Sequence, residues 1–394
     1  MKAPESGQRG TPDFLLLVLT LLLVGFGLVM VFSASSSTAV SKPEYNNDAL
    51  YFLKRQLMWV GLGLFAMFVL MNIHFQKYKK LFLLFFLGTL LLLALVPFIG
   101  VTRNGATSWL GVGSFGVQPT EFAKLAIVLY LAAIIAKKDE KFRDFKRGLL
   151  PVMIVVGFFA FLIMLQPDFG SCAILVMTAS IIVIAGGSNL KHIVLSSSVL
   201  IGLAALGTSF YFLLNPDGGL GFRGDRLTSF LDPLADPQGT GYHLNQSLRA
   251  LGHGGLTGTG LGNSVQKLFY LPYAYNDFIF AVIGEELGFI GTTTFILVYI
   301  VFIWRALIVS LRCPDNFGTL VGIGLVSLIA IQALINMGGV SGAIPITGVT
   351  LPFISYGGSS MLTLLTGMGI LLSISREYNR IGKTASPSAA SRRN

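Results

Sequence analysis

Long apolar runs separated by short polar breaks dominate the chain. Phe14 to Phe32 is the first and cleanest, and comparable runs recur almost to the C-terminal end. A bilayer span needs about 20 predominantly apolar residues, and the sequence supplies such stretches repeatedly. Taken with the loop charges, they predict helices near 14–33, 55–72, 80–99, 119–136, 149–166, 170–187, 193–214, 277–305, 317–337 and 359–375. The expected fold is an all-α integral membrane protein of about ten transmembrane helices. The first run ends in Phe32-Ser33-Ala34-Ser35. That end imitates a signal-peptidase site, but an apolar core of about 19 residues is too long for a signal peptide, so we read a retained span. The loops are too short to be domains, with one exception at 215–276, a segment rich in Gly, Asp and Pro. Its closely spaced glycines call for tight turns, and long loops are usually functional.

Composition agrees. The chain is 53% hydrophobic and 12% charged, with a mean hydropathy of +0.74, more apolar surface than a soluble core could bury. A net charge of +10 would suggest nucleic acid in a soluble protein. Here its distribution points elsewhere. Nineteen of the 28 Lys and Arg lie in alternate segments: the N-terminus, Lys77 to Lys80, Lys137 to Arg147, Lys191, Arg305 to Arg312, and the tail from Arg376. The positive-inside rule makes those segments cytoplasmic, so both termini are inside and the 215–276 loop is outside. The expected organisation is a cytoplasmic N-terminus (1–12), a polytopic membrane domain (13–376) and a disordered cytoplasmic tail (377–394), in a multi-pass protein of the cytoplasmic membrane. Cys172 and Cys313 fall toward opposite sides and neither has a metal-ligand spacing. The chain has no Walker A motif, no HExxH and no GxGxxG after a strand, so cytosolic ATP chemistry lacks support. It has no clear internal repeat, which weakens a transporter reading.

Ionisable residues in a membrane span cost energy and call for a partner. Glu121 and Lys124, at i and i+3, open the fourth span from outside; they pair with each other, or Lys124 faces a polar cavity and meets an anion. Asp277 stands at the outer mouth of the eighth span, as a helix cap or as a reactive carboxylate. Glu285 lies eight residues deeper, about 12 Å along the helix, where it either continues a polar track or, like the adjacent Glu286, joins a structural ion pair inside the bundle. Lys54 and Arg55 break the positive-inside pattern at the outer start of the second span, which suggests a protein carboxylate or a substrate phosphate, with interfacial snorkelling as the plain alternative. Arg223, Arg226, Arg249 and Lys267 add positive charge to the outer loop. Outer basic groups beside an isolated carboxylate fit a lipid-linked phosphate or pyrophosphate, and equally an anion pathway.

The string from Asn336 to Met361, NMGGVSGAIPITGVTLPFISYGGSSM, resembles the signature of the SEDS family (shape, elongation, division and sporulation), whose members include FtsW, RodA and SpoVE. Further matching stretches are FLKRQL, NGATSWLGVGSFGVQPTEFAKLA, QPDFGS, FLDPLADPQGTGY and QKLFYLPYAYNDFIFAVIGEELGFIG, so the resemblance covers residues 12 to 376. Thr350 and the NGATSWLGVG spelling look more like the division and sporulation branch. The resemblance implies a peptidoglycan glycosyltransferase that polymerises lipid II outside the cytoplasmic membrane, with Asp277 as the catalytic residue. This chain carries Tyr273 where the family usually has Glu and Asn276 where it usually has Thr, which puts subsite contacts in doubt more than activity. A carboxylate such as Asp277 suits the role of general base toward a sugar hydroxyl. The leaving pyrophosphate calls for Lys124, Arg55 or Arg226, or a divalent cation, Mg or Mn, whose ligands the sequence leaves unknown. Lys124 is also a candidate to pair with Asp277 at rest. Glu121, Lys54 and Gln118 are further candidates for substrate contact, as are Ser355, Gly357 and Gly358 of the SYGGSS turn, through backbone N–H groups. Implied partners are lipid II, an undecaprenyl-pyrophosphate-linked glycan, a class B penicillin-binding protein as transpeptidase, and other division or sporulation membrane proteins, with no nucleic acid. A lipid II flippase and a non-catalytic scaffold of the division machinery are the competing readings.

Overall fold

The computed structural model describes residues 10–103, 106–112, 115–189, 191–192, 230–233 and 235–385. Long apolar runs fold as helices because hydrocarbon offers no partner to a free N–H or C=O. The helices are α1 (Phe14–Ser41), α2 (Tyr51–Met71), α3 (Tyr78–Ile99), α4 (Pro119–Lys138) and α5 (Leu150–Met164). They continue with α6 (Phe169–Ala185), α7 (Tyr242–His253), α8 (Ile279–Leu311), α9 (Asn316–Val340) and α10 (Gly358–Ala385). Among the described residues, eight helices are long and apolar enough to cross a membrane, and α6 is a shorter apolar one. They account for nine of the ten expected spans. The tenth, at 193–214, lies outside the described residues, as do Arg223 and Arg226. Helices α4, α9 and α10 are the inner ones; α2, α3, α5 and α8 turn most of their length outward.

One end of the bundle gathers both ends of the chain. Asp13 caps α1 by accepting from the Leu16 N–H at 2.9 Å. The same carboxylate takes a two-point ion pair from Arg305 of α8, at 3.1 and 2.6 Å, while the Asp13 N–H donates to Ser375 Oγ. Arg376 donates to the carbonyls of Gly10 and Met71 and to Asn72 Oδ1. N- and C-terminal segments therefore share one face, in agreement with the loop charges.

Three features depart from the expected fold, two at the outer face and one at the cytoplasmic end. The α3–α4 connection carries a small antiparallel meander, β1 (Val101–Arg103), β2 (Ala106–Val112) and β3 (Phe115–Val117), in an otherwise helical protein. Trp109 belongs to β2, opposite Val101. Helix α8 begins at Ile279 with Phe278 at its N-cap position, so Asp277 lies in the turn before it. Helix α10 runs past the expected end of its span, and 377–385 are helical where a disordered tail was expected; 386–394 lie outside the described residues.

The long outer loop is anchored by a break in α8. Gly288 has φ +65°, which removes the helical hydrogen bonds around it. The loop after α7 replaces them. Thr259 and Gly260 donate their N–H groups to the carbonyls of Glu285 and Glu286, both at 3.0 Å. In return, the Phe289 and Ile290 N–H groups donate to the carbonyls of Gly255 and Leu256, at 2.9 and 3.1 Å. Gly258 must be glycine here, because a Cβ would stand 2.2 Å from the Glu286 carbonyl oxygen and its φ is +80°. The two glutamate side chains complete the clamp. Fully buried Glu285 accepts from Ser264 Oγ, from the Val265 N–H at 3.0 Å and from His253 Nδ1 at 2.7 Å. Glu286 takes the buried Lys267 Nζ at 2.7 Å and Ser33 Oγ of α1 at 2.6 Å. Glu285 and Lys267 are thus loop anchors, and neither extends a polar track inward from Asp277.

Candidate active site at the outer face

Asp277 is the last residue but one in a run of turns, 272–278, that brings the outer loop down to α8. Such irregular backbone at the membrane boundary survives only if its polar groups are bonded. Three consecutive carbonyls of the turn each accept a hydrogen bond from a different group. The Tyr275 oxygen takes the Tyr356 N–H at 2.9 Å, the Asn276 oxygen takes Ser355 Oγ at 2.7 Å, and the Asp277 oxygen takes Asn336 Nδ2 at 2.7 Å. The backbone of Asp277 is therefore fixed by α9 and by the α9–α10 connection, and its side chain is half-buried. A Cβ on Gly348 would stand 3.6 Å from Asp277 Oδ2, so the carboxylate lies over that connection at a glycine with φ +76°.

The connection is held from beneath by α9. Asn336 also donates to the Val349 carbonyl at 2.7 Å. Gln332, one turn earlier on the same helix face, donates to the Thr350 carbonyl at 3.1 Å. Gln332 Oε1 in turn accepts from Lys124 Nζ at 3.1 Å, and Lys124 pairs with Glu121 at 2.8 Å. Lys124 is 2% exposed and Glu121 6%. The neutralising pair anticipated from their spacing forms, and Lys124 bonds to Glu121 and Gln332. A continuous chain of buried polar groups thus runs from α4 through α9 to the loop under Asp277.

The remaining sequence candidates divide into two groups. Gln118 is at the outer end, its N–H on Ser359 Oγ at 3.0 Å and its amide on Asp168, which caps α6 through the Ser171 N–H. Ser355 is 4% exposed and bonds inward, donating to Asn276 and accepting from the Leu351 N–H at 2.8 Å. Gly357 N–H is taken by Gln56 Oε1 at 3.3 Å, so it is occupied by protein. Gly358 is a packing glycine: a Cβ there would meet Trp59 Nε1 at 2.3 Å. Lys54 found a protein carboxylate, Asp48, at 2.7 Å on the exposed surface, and that hydrogen bond holds the Asp48 carboxyl below its usual range. Arg55 lies with its guanidinium 4.1 Å over the Tyr51 ring, half-buried.

Asn336, Gln332 and Gln56 were missed as site residues. Each is a buried amide inside an apolar span, the same costly-polar signal that singled out Glu121 and Lys124. Replacing Ser355 by Ala leaves the Asn276 carbonyl and the Leu351 N–H without partners and loosens the Asp277 turn. We expect a fall of about tenfold in kcat at nearly unchanged KM, measured on polymer formation.

The family model described as cell cycle protein, covering FtsW, RodA and SpoVE, matches residues 13–380. Stage V sporulation protein E of Bacillus subtilis (strain 168) is 44% identical over 379 residues, 95% of this chain and 99% of that protein. The probable peptidoglycan glycosyltransferase FtsW of Geobacter sp. (strain M18) is 38% identical over 365 residues, 92% of this chain and 96% of that one. A solved chain from a peptidoglycan synthase complex that coordinates polymerization and crosslinking superposes with a TM-score of 0.72 at 27% identity, covering 93% of this chain and 98% of that chain. The crystal structure of Thermus thermophilus RodA gives 0.63 at 27% identity, over 93% and 97%. With a family match over nearly its whole length and the same multi-pass helical fold, this chain belongs to the FtsW, RodA and SpoVE family of membrane proteins.

Proposed function

We propose that this protein is a peptidoglycan glycosyltransferase that polymerises lipid II at the outer face of the cytoplasmic membrane, in cell division or sporulation. The observation that carries the reading is a half-buried carboxylate at the outer face, Asp277, set on a backbone that three hydrogen bonds fix at the end of the outer loop. A sugar hydroxyl is a poor nucleophile at neutral pH. Asp277 removes its proton as the oxygen attacks the anomeric carbon of the lipid-pyrophosphate-linked strand, inverting it, and the pyrophosphate leaves with the bonding pair. Arg55 and Arg226 are the cations we assign to the leaving group. Buried Lys124 acts on the site through Gln332 and Thr350, as a positioning residue.

Among the described residues, no three His, Cys, Asp or Glu side chains come together to hold a metal ion by themselves. A divalent cation, Mg or Mn, would therefore be held mainly by the substrate phosphates, with its ligands from this chain unassigned. When bound, it supplies neutralisation of the departing pyrophosphate. The partner we propose is a class B penicillin-binding protein supplying transpeptidation, in keeping with the synthase complex from which the solved relative comes.

The test is to purify the protein with that partner and supply labelled lipid II. Glycan strands from the complex support the reading. Precursor movement across proteoliposomes with no strands formed assigns the site to transport instead.

A further inference from the structure

Five of the twelve tyrosines of the chain converge at one point of the outer face, beside Asp277. They come from three separate segments. Tyr45 and Tyr51 flank the start of α2, Tyr273 and Tyr275 precede Asp277, and Tyr356 lies in the α9–α10 connection. Phe52 is the hub, with ring centroids 4.9 Å from Tyr45, 5.2 Å from Tyr51, 4.4 Å from Tyr275 and 5.1 Å from Tyr356. Only Phe52 is buried outright; the four tyrosines around it are half-buried and Tyr273 is 39% exposed. Burial pushes the Tyr45 and Tyr275 phenols up, and Tyr273 is near enough to both to add to the rise.

Packing alone does not account for this arrangement. Aromatic anchors at a membrane interface form a belt around the circumference, whereas these meet in one cluster that is tied to the reactive turn by the Tyr356 N–H on the Tyr275 carbonyl. Tyr273 is held at φ +56°, a conformation bulky side chains rarely adopt and one that concentrates at functional sites. It stands four residues before Asp277. An aromatic face carries negative charge density that attracts the weakly positive axial C–H groups of a sugar ring, and a phenol adds a hydroxyl at the rim, so tyrosine contacts both the apolar and the polar parts of a saccharide. Arg55 over Tyr51 extends the cluster with a fixed cation.

We infer that the Tyr45–Tyr51–Tyr273–Tyr275–Tyr356 cluster is a saccharide subsite that stacks an N-acetylhexosamine ring of the glycan next to Asp277. The identity of the sugar rests on the glycosyltransferase reading; the stacking chemistry does not.

The experiment uses the full-length Asp277→Asn protein, which removes turnover, and a lipid-free probe, the N-acetylglucosamine tetramer, with affinity measured by titration. Tyr273→Leu and, separately, Tyr51→Leu keep apolar bulk and remove the ring; Tyr273→Phe keeps the ring. We expect each Leu variant to weaken tetramer binding about tenfold and Tyr273→Phe to stay within about threefold. With Asp277 restored, the Leu variants should release shorter strands. If one Leu variant does not elute as folded protein, the other decides. Unchanged affinity in a folded Leu variant overturns the inference, as does a parent protein that polymerises lipid II yet binds no tetramer. So does loss of partner co-purification with tetramer binding intact, which assigns the cluster to a protein interface. Tyrosine-dependent binding in a protein that makes no polymer leaves the subsite standing and sinks the glycosyltransferase reading instead.

Discussion

Replacing Asp277 by Asn is expected to lower polymerisation by about a hundredfold or more while the protein folds normally. The two side chains have nearly the same shape, and three bonds that hold the turn use the backbone carbonyls of 275–277, which the substitution leaves in place. An amide cannot accept the hydroxyl proton, so the loss falls on the chemical step and KM changes little. Asp277→Glu should recover little, because the carboxylate already lies against Gly348, 3.6 Å from where a Cβ would be, and a longer side chain overshoots the same attack geometry. Strand formation from labelled lipid II, with a thermal melt as the folding control, measures both.

The second large effect concerns stability. Lys124→Met leaves Glu121 buried with its cationic partner gone and deprives Gln332 of its donor. Breaking one side of a buried pair in this way costs about 3–5 kcal/mol. A double variant, Glu121→Gln with Lys124→Met, removes both charges and should regain most of that loss, because two neutral groups need no mutual compensation. Thermal midpoints in detergent for the four proteins of the cycle give the coupling. Activity of the refolded double variant then separates two roles. If Lys124 serves only to position Thr350 through Gln332, kcat falls modestly; if it also meets the pyrophosphate, the double variant is stable and inactive.

The spans were legible because lipid makes each helix satisfy its own backbone, so a run of about 20 apolar residues predicts an element without tertiary information. What escaped was whatever depends on a distant partner. The β1–β3 meander has strands of three and seven residues, too short for a periodic signal. The loop that replaces the missing hydrogen bonds at Gly288 joins segments about 30 residues apart, and the glycines around it advertise turns but not which helix they complete. Asp277 was legible as an isolated outer carboxylate. Its supports were not: Ser355 and Asn336 lie 79 and 59 residues from the carbonyls they hold. The same distance effect turned Gly357 and Gly358 from candidate ligand N–H groups into a bonded turn and a packing contact with Trp59. Lys54 was read as calling for an anion and found one six residues away in Asp48.

The central claim is that Asp277 takes the acceptor's proton. Its most direct test is the pH dependence of single-turnover lipid II polymerisation by the wild-type complex and by the Asp277→Asn complex. A general base must be deprotonated to act, so the wild-type rate should climb as pH rises through the titration of a carboxylate and then level off. The residual rate of Asp277→Asn should lack that limb. An identical acid limb in both proteins, or equal rates at neutral pH, would contradict the account.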